Sequence, residues 1–136
     1  MKNLLLSFIL SFAISSLEGQ QNVVKIIKDN NSFSLEVNGN AFFIKGVVGD
    51  TFLEKVSQYG GNSIRMGSGK EGLDKAQKLG LKVLVNLPAN AERYGFDYND
   101  TAAVRKQTDR IKEIVKNTKD HPAVLMWAVG NELDFI

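Results

Sequence analysis

His121-Pro122-Ala123-Val124-Leu125-Met126-Trp127-Ala128-Val129-Gly130-Asn131-Glu132 is an apolar run that breaks off on an amide and a carboxylate. From Ala123 to Val129 no polar side chain interrupts it, which is the pattern of a strand covered on both faces. Strands of that kind belong to parallel sheets with helical crossovers. The rest of the chain is therefore read for a repeat of strand and helix.

The repeat is there upstream. Leu81 to Leu87 is apolar apart from Lys82 and Asn86, and Asn62 to Met66 forms a shorter run. Phe42-Phe43-Ile44, continuing to Val47-Val48, supplies an earlier one. Between these runs the apolar spacing becomes helical. Phe52, Leu53, Val56 and Tyr59 share one face of a helix that stops at Gly60, and Thr51 and Glu54 have capping-box spacing at its start. Leu73, Ala76 and Leu79 mark a second helix stopped by Gly80. The longest helix is predicted from Thr101 to Asn117, with Val104, Ile111, Ile114 and Val115 as its inner stripe. Strand starts near residues 42, 62, 81 and 123 thus alternate with helices. This order demands parallel strands joined by right-handed crossovers, hence an α/β barrel or a doubly wound sheet.

The front of the chain differs. Val23 to Val37 reads as a hairpin about Asp29-Asn30-Asn31, with Phe33, Leu35 and Val37 alternating with polar residues, and Asn38-Gly39 is a second turn signal. Before it, Lys2 and the apolar run Leu4 to Ile14 lead to Ala13-Ile14-Ser15, a small-x-small cleavage pattern. The run is too short to span a bilayer, so residues 1–19 read as a secretory signal without a stable membrane anchor. The expected location is secreted or periplasmic. The mature organisation is then a hairpin at 20–41 and a (β/α)-type unit at 42–136.

Composition removes several function classes. The 136 residues carry 17 basic and 15 acidic side chains, a net +2, which gives no electrostatic case for nucleic-acid binding. With no cysteine and a single histidine, disulfide scaffolds, thiol catalysis and His- or Cys-built metal sites are excluded. Gly67-Ser68-Gly69-Lys70-Glu71-Gly72 spells a dinucleotide-type GxGxxG. However, the following strand ends in Asn86-Leu87-Pro88 with no acid for a ribose, and Ser68 and Glu71 have capping-box spacing. Asp97-x-Asn99-x-Thr101 hints at a calcium loop but lacks its glycine, and Thr108 stands at its bidentate Glu position. His121, ahead of Pro122, fits packing or hydrogen bonding better than catalysis.

Two segments carry the chemistry. Residues 90–100 connect a strand to a helix on the face where parallel folds place their sites, and hold Tyr94, Phe96 and Tyr98 with Glu92, Arg93 and Asp97. Such aromatics can stack on a sugar ring while the charged groups bond its hydroxyls. Equally, two of the three can pin the loop to the sheet. The second segment is Gly130-Asn131-Glu132. A carboxylate at the mouth, against an apolar wall, is what a general acid requires. Adjacent strand residues face opposite ways, so Gly130 must break the strand for both Asn131 and Glu132 to turn inward.

These residues resemble the catalytic TIM barrel of family 2 glycoside hydrolases, the group of β-galactosidases, β-glucuronidases and β-mannosidases, within the wider clan A. The similarity lies in Phe33 to Val47, in Gly61-Asn62-Ser63-Ile64-Arg65, and most specifically in His121 to Glu132. The resemblance implies a (β/α)8 barrel, present here as roughly its first four strands preceded by a hairpin that closes it. It implies hydrolysis of β-linked glycosides by a retaining double displacement, with an oligo- or polysaccharide substrate and no cofactor. Glu132 would be the general acid/base, Asn131 would bond the sugar 2-hydroxyl, and Arg65 would support the nucleophilic carboxylate. Tyr94, Phe96 and Tyr98 join them as candidate substrate contacts.

The chain departs from the family where Met66-Gly67-Ser68 follows Arg65 in place of histidine and proline. The nucleophile is expected at the end of a seventh strand, beyond Ile136, since about half of the ~250 residues of a full barrel are present. The sequence accordingly reads as a fragment that is inactive alone. A non-catalytic carbohydrate-binding module, a glucan-transglycosylase-like barrel and, through Gly67 to Gly72, a nucleotide-binding α/β protein stay open. The sequence leaves the oligomeric state open too.

Overall fold

The structure, a computed structural model, describes residues 22–133. The secretory signal expected over 1–19 lies outside the described residues. Three strands, β1 (Val24–Asp29), β2 (Ser32–Val37) and β3 (Asn40–Ala41), form an antiparallel sheet in sequential order. Asn38 and Gly39 turn β2 into β3 with φ of 53° and 77°, the left-handed pair that a two-residue hairpin loop needs. A second sheet holds β4 (Gly46–Val48), β5 (Ser63–Met66), β6 (Lys82–Leu87) and β7 (Val124–Val129), all parallel and in the order β4-β5-β6-β7. Helices α1 (Leu53–Gln58), α2 (Lys70–Lys78) and α3 (Thr101–Thr118) cross between them. A doubly wound sheet reverses its strand order at a switch point. This order runs without reversal, as in part of a TIM-barrel-like domain, and the described strands form an open sheet rather than a closed barrel.

Strand alternation sorts the side chains. Ile64, Met66, Val83, Val85 and Val124 point to the helices and join Leu53, Leu73 and Ala76 in one buried cluster, with Ile114 and Trp127 packed against it. Truncating any of its large members to alanine would cost about 2–5 kcal/mol. The opposite, inner face takes Val48, Arg65, Leu84, Asn86 and Met126, which share ladder positions or lie two residues apart on one strand. The ladder between β6 and β7 slips after Val83, so that Leu84 faces Met126. Along α3, Val104, Ile111, Ile114 and Val115 form the half-buried stripe expected of them, and Thr118 extends it into the core.

The amino ends of the strands are tied down by amides. Asn22, just ahead of β1, donates to Pro122 O at 2.6 Å and Val124 O at 2.9 Å, while Lys82 Nζ donates to Asn22 Oδ1 at 2.6 Å. Burial there lowers the Lys82 pKa. His121 belongs to this same end. Its Nδ1 accepts from Ala123 N at 3.1 Å, so Nε2 carries the proton and faces Asp74 Oδ1 at 3.1 Å. The hydrogen-bonding role read from the sequence is the one it plays.

Four local expectations are corrected. The first parallel strand begins at Gly46, not Phe42. Asn62 explains this: its Oδ1 accepts from Lys45 N and its Nδ2 donates to Phe43 O, both at 2.8 Å, so a side chain takes the bonds a strand partner would make. Thr51 does not cap α1; Phe52 occupies the N-cap with φ 57°, which puts Glu54 one position short of a capping box. Glu54 bonds Lys75 instead, at 2.9 Å. Ser68 likewise does not cap α2, because Gly69 is the N-cap and no side chain caps it. Finally, Phe52 and Tyr59 leave the inner face of α1 and are 65% and 83% exposed, with Lys55 Nζ 5.0 Å from the Phe52 ring.

Asn62→Ala removes both amide bonds to the 43–45 segment and is expected to cost about 2 kcal/mol in urea unfolding, near 1 per bond. The Asp74 carboxyl is held below its ordinary value by Lys70 first and His121 second. Its stabilisation is present above about pH 4, the unfolded value, and is lost as pH falls through the depressed one. Asp74→Asn should therefore lower stability at pH 7 while its difference from wild type shrinks by pH 2.5, read by denaturant titrations at both values.

Candidate active site

The carboxyl ends of β5, β6 and β7 surround a groove of about 530 Å³ that includes Arg65, Asn86, Asn90, Tyr94 and Asn131 in its lining. Arg65 stands at its centre for a topological reason. Ile64 and Met66 on either side of it are committed to the core, so Arg65 must face inward. Its Nε donates to Asn86 Oδ1 at 2.7 Å, and its Nη2 to Asn131 Oδ1 at 3.1 Å and to Gly130 O at 3.5 Å. The carboxylate that the resemblance assigns to this arginine was expected beyond Ile136. Among the described residues its acceptors are three neutral oxygens, supplied by β6 and by the turn after β7.

Gly130 makes the break the sequence called for. Its φ of 75° ends β7 in the left-handed region, and Glu132 follows with φ 49°. The chain therefore leaves the strand at once, and Asn131 turns into the groove. Glu132 takes a different place from the one expected. Its side chain is 60% exposed rather than set against an apolar wall, and its Oε2 accepts from Arg93 Nη2 at 2.8 Å. That bond is the chief cause that raises the Arg93 pKa.

Arg93 comes from a short 3-10 turn, Glu92–Tyr94, in the connection between β6 and α3. Its guanidinium also lies 4.7 Å from the Tyr94 ring. The three loop aromatics divide. Tyr94 is 77% exposed and lines the groove. Phe96 and Tyr98 meet edge-on at 4.8 Å, and the Tyr98 hydroxyl donates to Asn90 O at 2.7 Å, so this pair braces the loop. Asn90 is further held by Gln107 Oε1, which accepts from its backbone N at 2.8 Å.

The remaining motifs have local explanations. Asp97 Oδ1 accepts from Asn99 N at 2.8 Å, and Asp100 caps α3 by accepting from Ala102 N and Ala103 N at 3.0 Å. Gly67 and Gly69 have ordinary φ and open space where a Cβ would stand; only Gly72 approaches a neighbour closely, at 3.3 Å from Met66. The loop thus lacks the tight turn and close backbone approach that give a dinucleotide fingerprint its glycines. Among the described residues, no group of three His, Asp or Glu side chains is placed to hold a metal, and no helix is long and apolar enough to cross a membrane.

Asn86 was not singled out as a site residue by the sequence, where it served only to mark a missing acid. The signal was present, since Lys82–Leu87 alternates inner and outer positions and Asn86 holds an inner one near the strand's end.

The family model described as glycosyl hydrolases family 2, TIM barrel domain, matches residues 70–135. The matched segment runs from α2 past β7 and carries Asn86, Tyr94, Asn131 and Glu132, while Arg65 precedes it. No curated protein matches the chain. The match supports a glycosidase-type lineage for this α/β unit.

Gly130→Ala is expected to cost about 1–2 kcal/mol, the penalty for an L side chain held in the left-handed region. Its Cβ would also meet Leu133 Cδ2 at 2.6 Å. Chemical unfolding gives the cost, and displaced Asn131 side-chain amide resonances should report the disturbed turn.

Proposed function

We propose that this chain carries the acid/base side of a β-glycoside hydrolase site that works with retention of configuration. The observation that carries the reading is the groove itself. Arg65, Asn86, Asn131 and Tyr94 converge at the carboxyl ends of parallel strands, with Glu132 the next residue after Asn131. The family match over residues 70–135 supports the same lineage. In this reading Glu132 protonates the leaving glycosidic oxygen and later takes a proton from the attacking water. Asn131 bonds a hydroxyl of the sugar at the cleaved bond, and Tyr94 offers its ring to a sugar face.

Retention needs a second carboxylate about 5 Å from the first, to form the glycosyl-enzyme. Among the described residues no Asp or Glu lines the groove. Binding without turnover is therefore the behaviour to expect of the groove that the described residues form. A signal sequence at 1–19 would place the protein outside the cytoplasm, where polymeric glycans are met. The exposed Tyr94 also favours the second reading, a non-catalytic sugar-binding barrel, in which Glu132 would be dispensable.

The test uses the full chain with β-linked oligosaccharides and aryl β-glycosides. Oligosaccharides should shift the NMR signals of Tyr94 and Asn131, and Tyr94→Ala should weaken binding about fivefold, the value of one aromatic contact. Aryl β-glycosides should not turn over. Turnover abolished by Glu132→Gln would mean that the catalytic pair is complete within these residues. Shifts that avoid the groove would remove the glycoside reading.

A further inference from the structure

The glycoside reading needs Glu132 inside the groove, yet its side chain is held outside. Asn131 lines the groove and Glu132 does not. The backbone after β7 turns at Gly130 with φ 75°, and Arg65 fixes that turn by donating to Gly130 O and Asn131 Oδ1. From this fixed turn the Glu132 carboxylate reaches away to Arg93, whose Nη2 donates to Oε2 at 2.8 Å. Of the two side chains Arg93 is the better buried, 24% exposed against 60%. Arg93 is therefore the anchored partner and Glu132 the one free to swing.

The anchor is built by the loop before α3. Phe96 packs on Tyr98, the Tyr98 hydroxyl donates to Asn90 O, and Gln107 of α3 accepts from Asn90 N. The Arg93 guanidinium also stands 4.7 Å from the centre of the Tyr94 ring. One side chain thus touches both the aromatic that lines the groove and the carboxylate that does not. This contact and the acid role exclude each other. A general acid must reach the glycosidic oxygen to within about 3 Å and donate to it. A carboxylate oxygen that accepts from a guanidinium donates nothing. The contact is also weak enough to part, because an ion pair this exposed favours the closed arrangement by no more than about fivefold.

We infer that Arg93 is a latch: it parks Glu132 outside the groove in the free protein and releases it when a β-linked glycan lies beside Tyr94. The inference rests on the glycoside reading of the groove and adds a regulation to it. Arg93 is a positioning residue here, acting through Glu132. A glycan that draws Glu132 inward must first part the pair, so its apparent affinity is reduced by the fraction of molecules latched. Removing the latch should tighten binding, the opposite of losing a sugar contact.

The test is calorimetric and NMR titration of the full chain with β-linked tetrasaccharides of glucose, mannose and galactose. Arg93→Ala should bind about threefold tighter than wild type, with Arg93→Lys in between. In a Glu132→Ala background the same Arg93→Ala change should have no effect, since the pair is already gone. The wild-type Glu132 carboxyl resonance should move on saturation, and wild-type affinity should rise with salt as the pair is screened. The resonance and the salt series decide the matter even if a variant does not fold. Weaker binding by Arg93→Ala would overturn the latch and make Arg93 a sugar contact. Equal affinity, or a Glu132 resonance that stays in place while Tyr94 responds, would also sink it and leave the groove a sugar site. Binding of no tetrasaccharide by wild type or by Arg93→Ala would remove both the latch and the glycoside reading.

Discussion

A guanidinium on the inner face of a parallel sheet must find acceptors, and the way Arg65 finds them organises the carboxyl end of this sheet. Its partners come from different elements, Asn86 on β6 and the Gly130-Asn131 turn after β7. They can meet only if β5, β6 and β7 are adjacent, parallel and in one register. The core cluster enforces that register, since slipping any strand by one residue would exchange Arg65 or Asn86 with a buried aliphatic neighbour. Packing on one face of the sheet thus sets polar geometry on the other.

The two ends of the parallel sheet do different work with similar residues. At the amino ends, Asn22, Lys82 and His121 close bonds with backbone atoms and with each other, leaving a locked surface. At the carboxyl ends, Asn86 and Asn131 line the groove and spend their oxygens on Arg65. Amides at one end hold the hairpin to the sheet; at the other they hold Arg65 in the groove. The division follows the direction of the strands, because the loops after β6 and β7 gather only at the carboxyl end.

Much of this was legible in the residues. The alternation of apolar runs and helical stripes located each crossover helix and the strands β5, β6 and β7, and Asn38-Gly39 marked its turn. The glycine break after Val129 was readable because alternation forbids Asn131 and Glu132 from sharing a face on a regular strand. Misreadings arose where a side chain took a backbone partner's place. Asn62 bonds the 43–45 backbone and delays the first parallel strand, and Phe52 in the left-handed region moves the start of α1 past its capping signal. Both depend on contacts between residues distant in sequence or on a rare backbone state, and neither has a local pattern.

The sequence by itself determined the periodicity, the parallel α/β class and the polar residues at strand ends, because these follow from the alternation of side chains along each segment. Only the tertiary structure decided which of those polar residues meet. Among the described residues it set Arg65 against the amide oxygens of Asn86 and Asn131, and it joined Glu132 to Arg93 across 39 positions of chain. It also separated Tyr94 from the Phe96–Tyr98 pair. The physical reason is that hydrogen bonds and ion pairs form at about 3 Å, a distance fixed by strand register and loop path rather than by spacing in sequence.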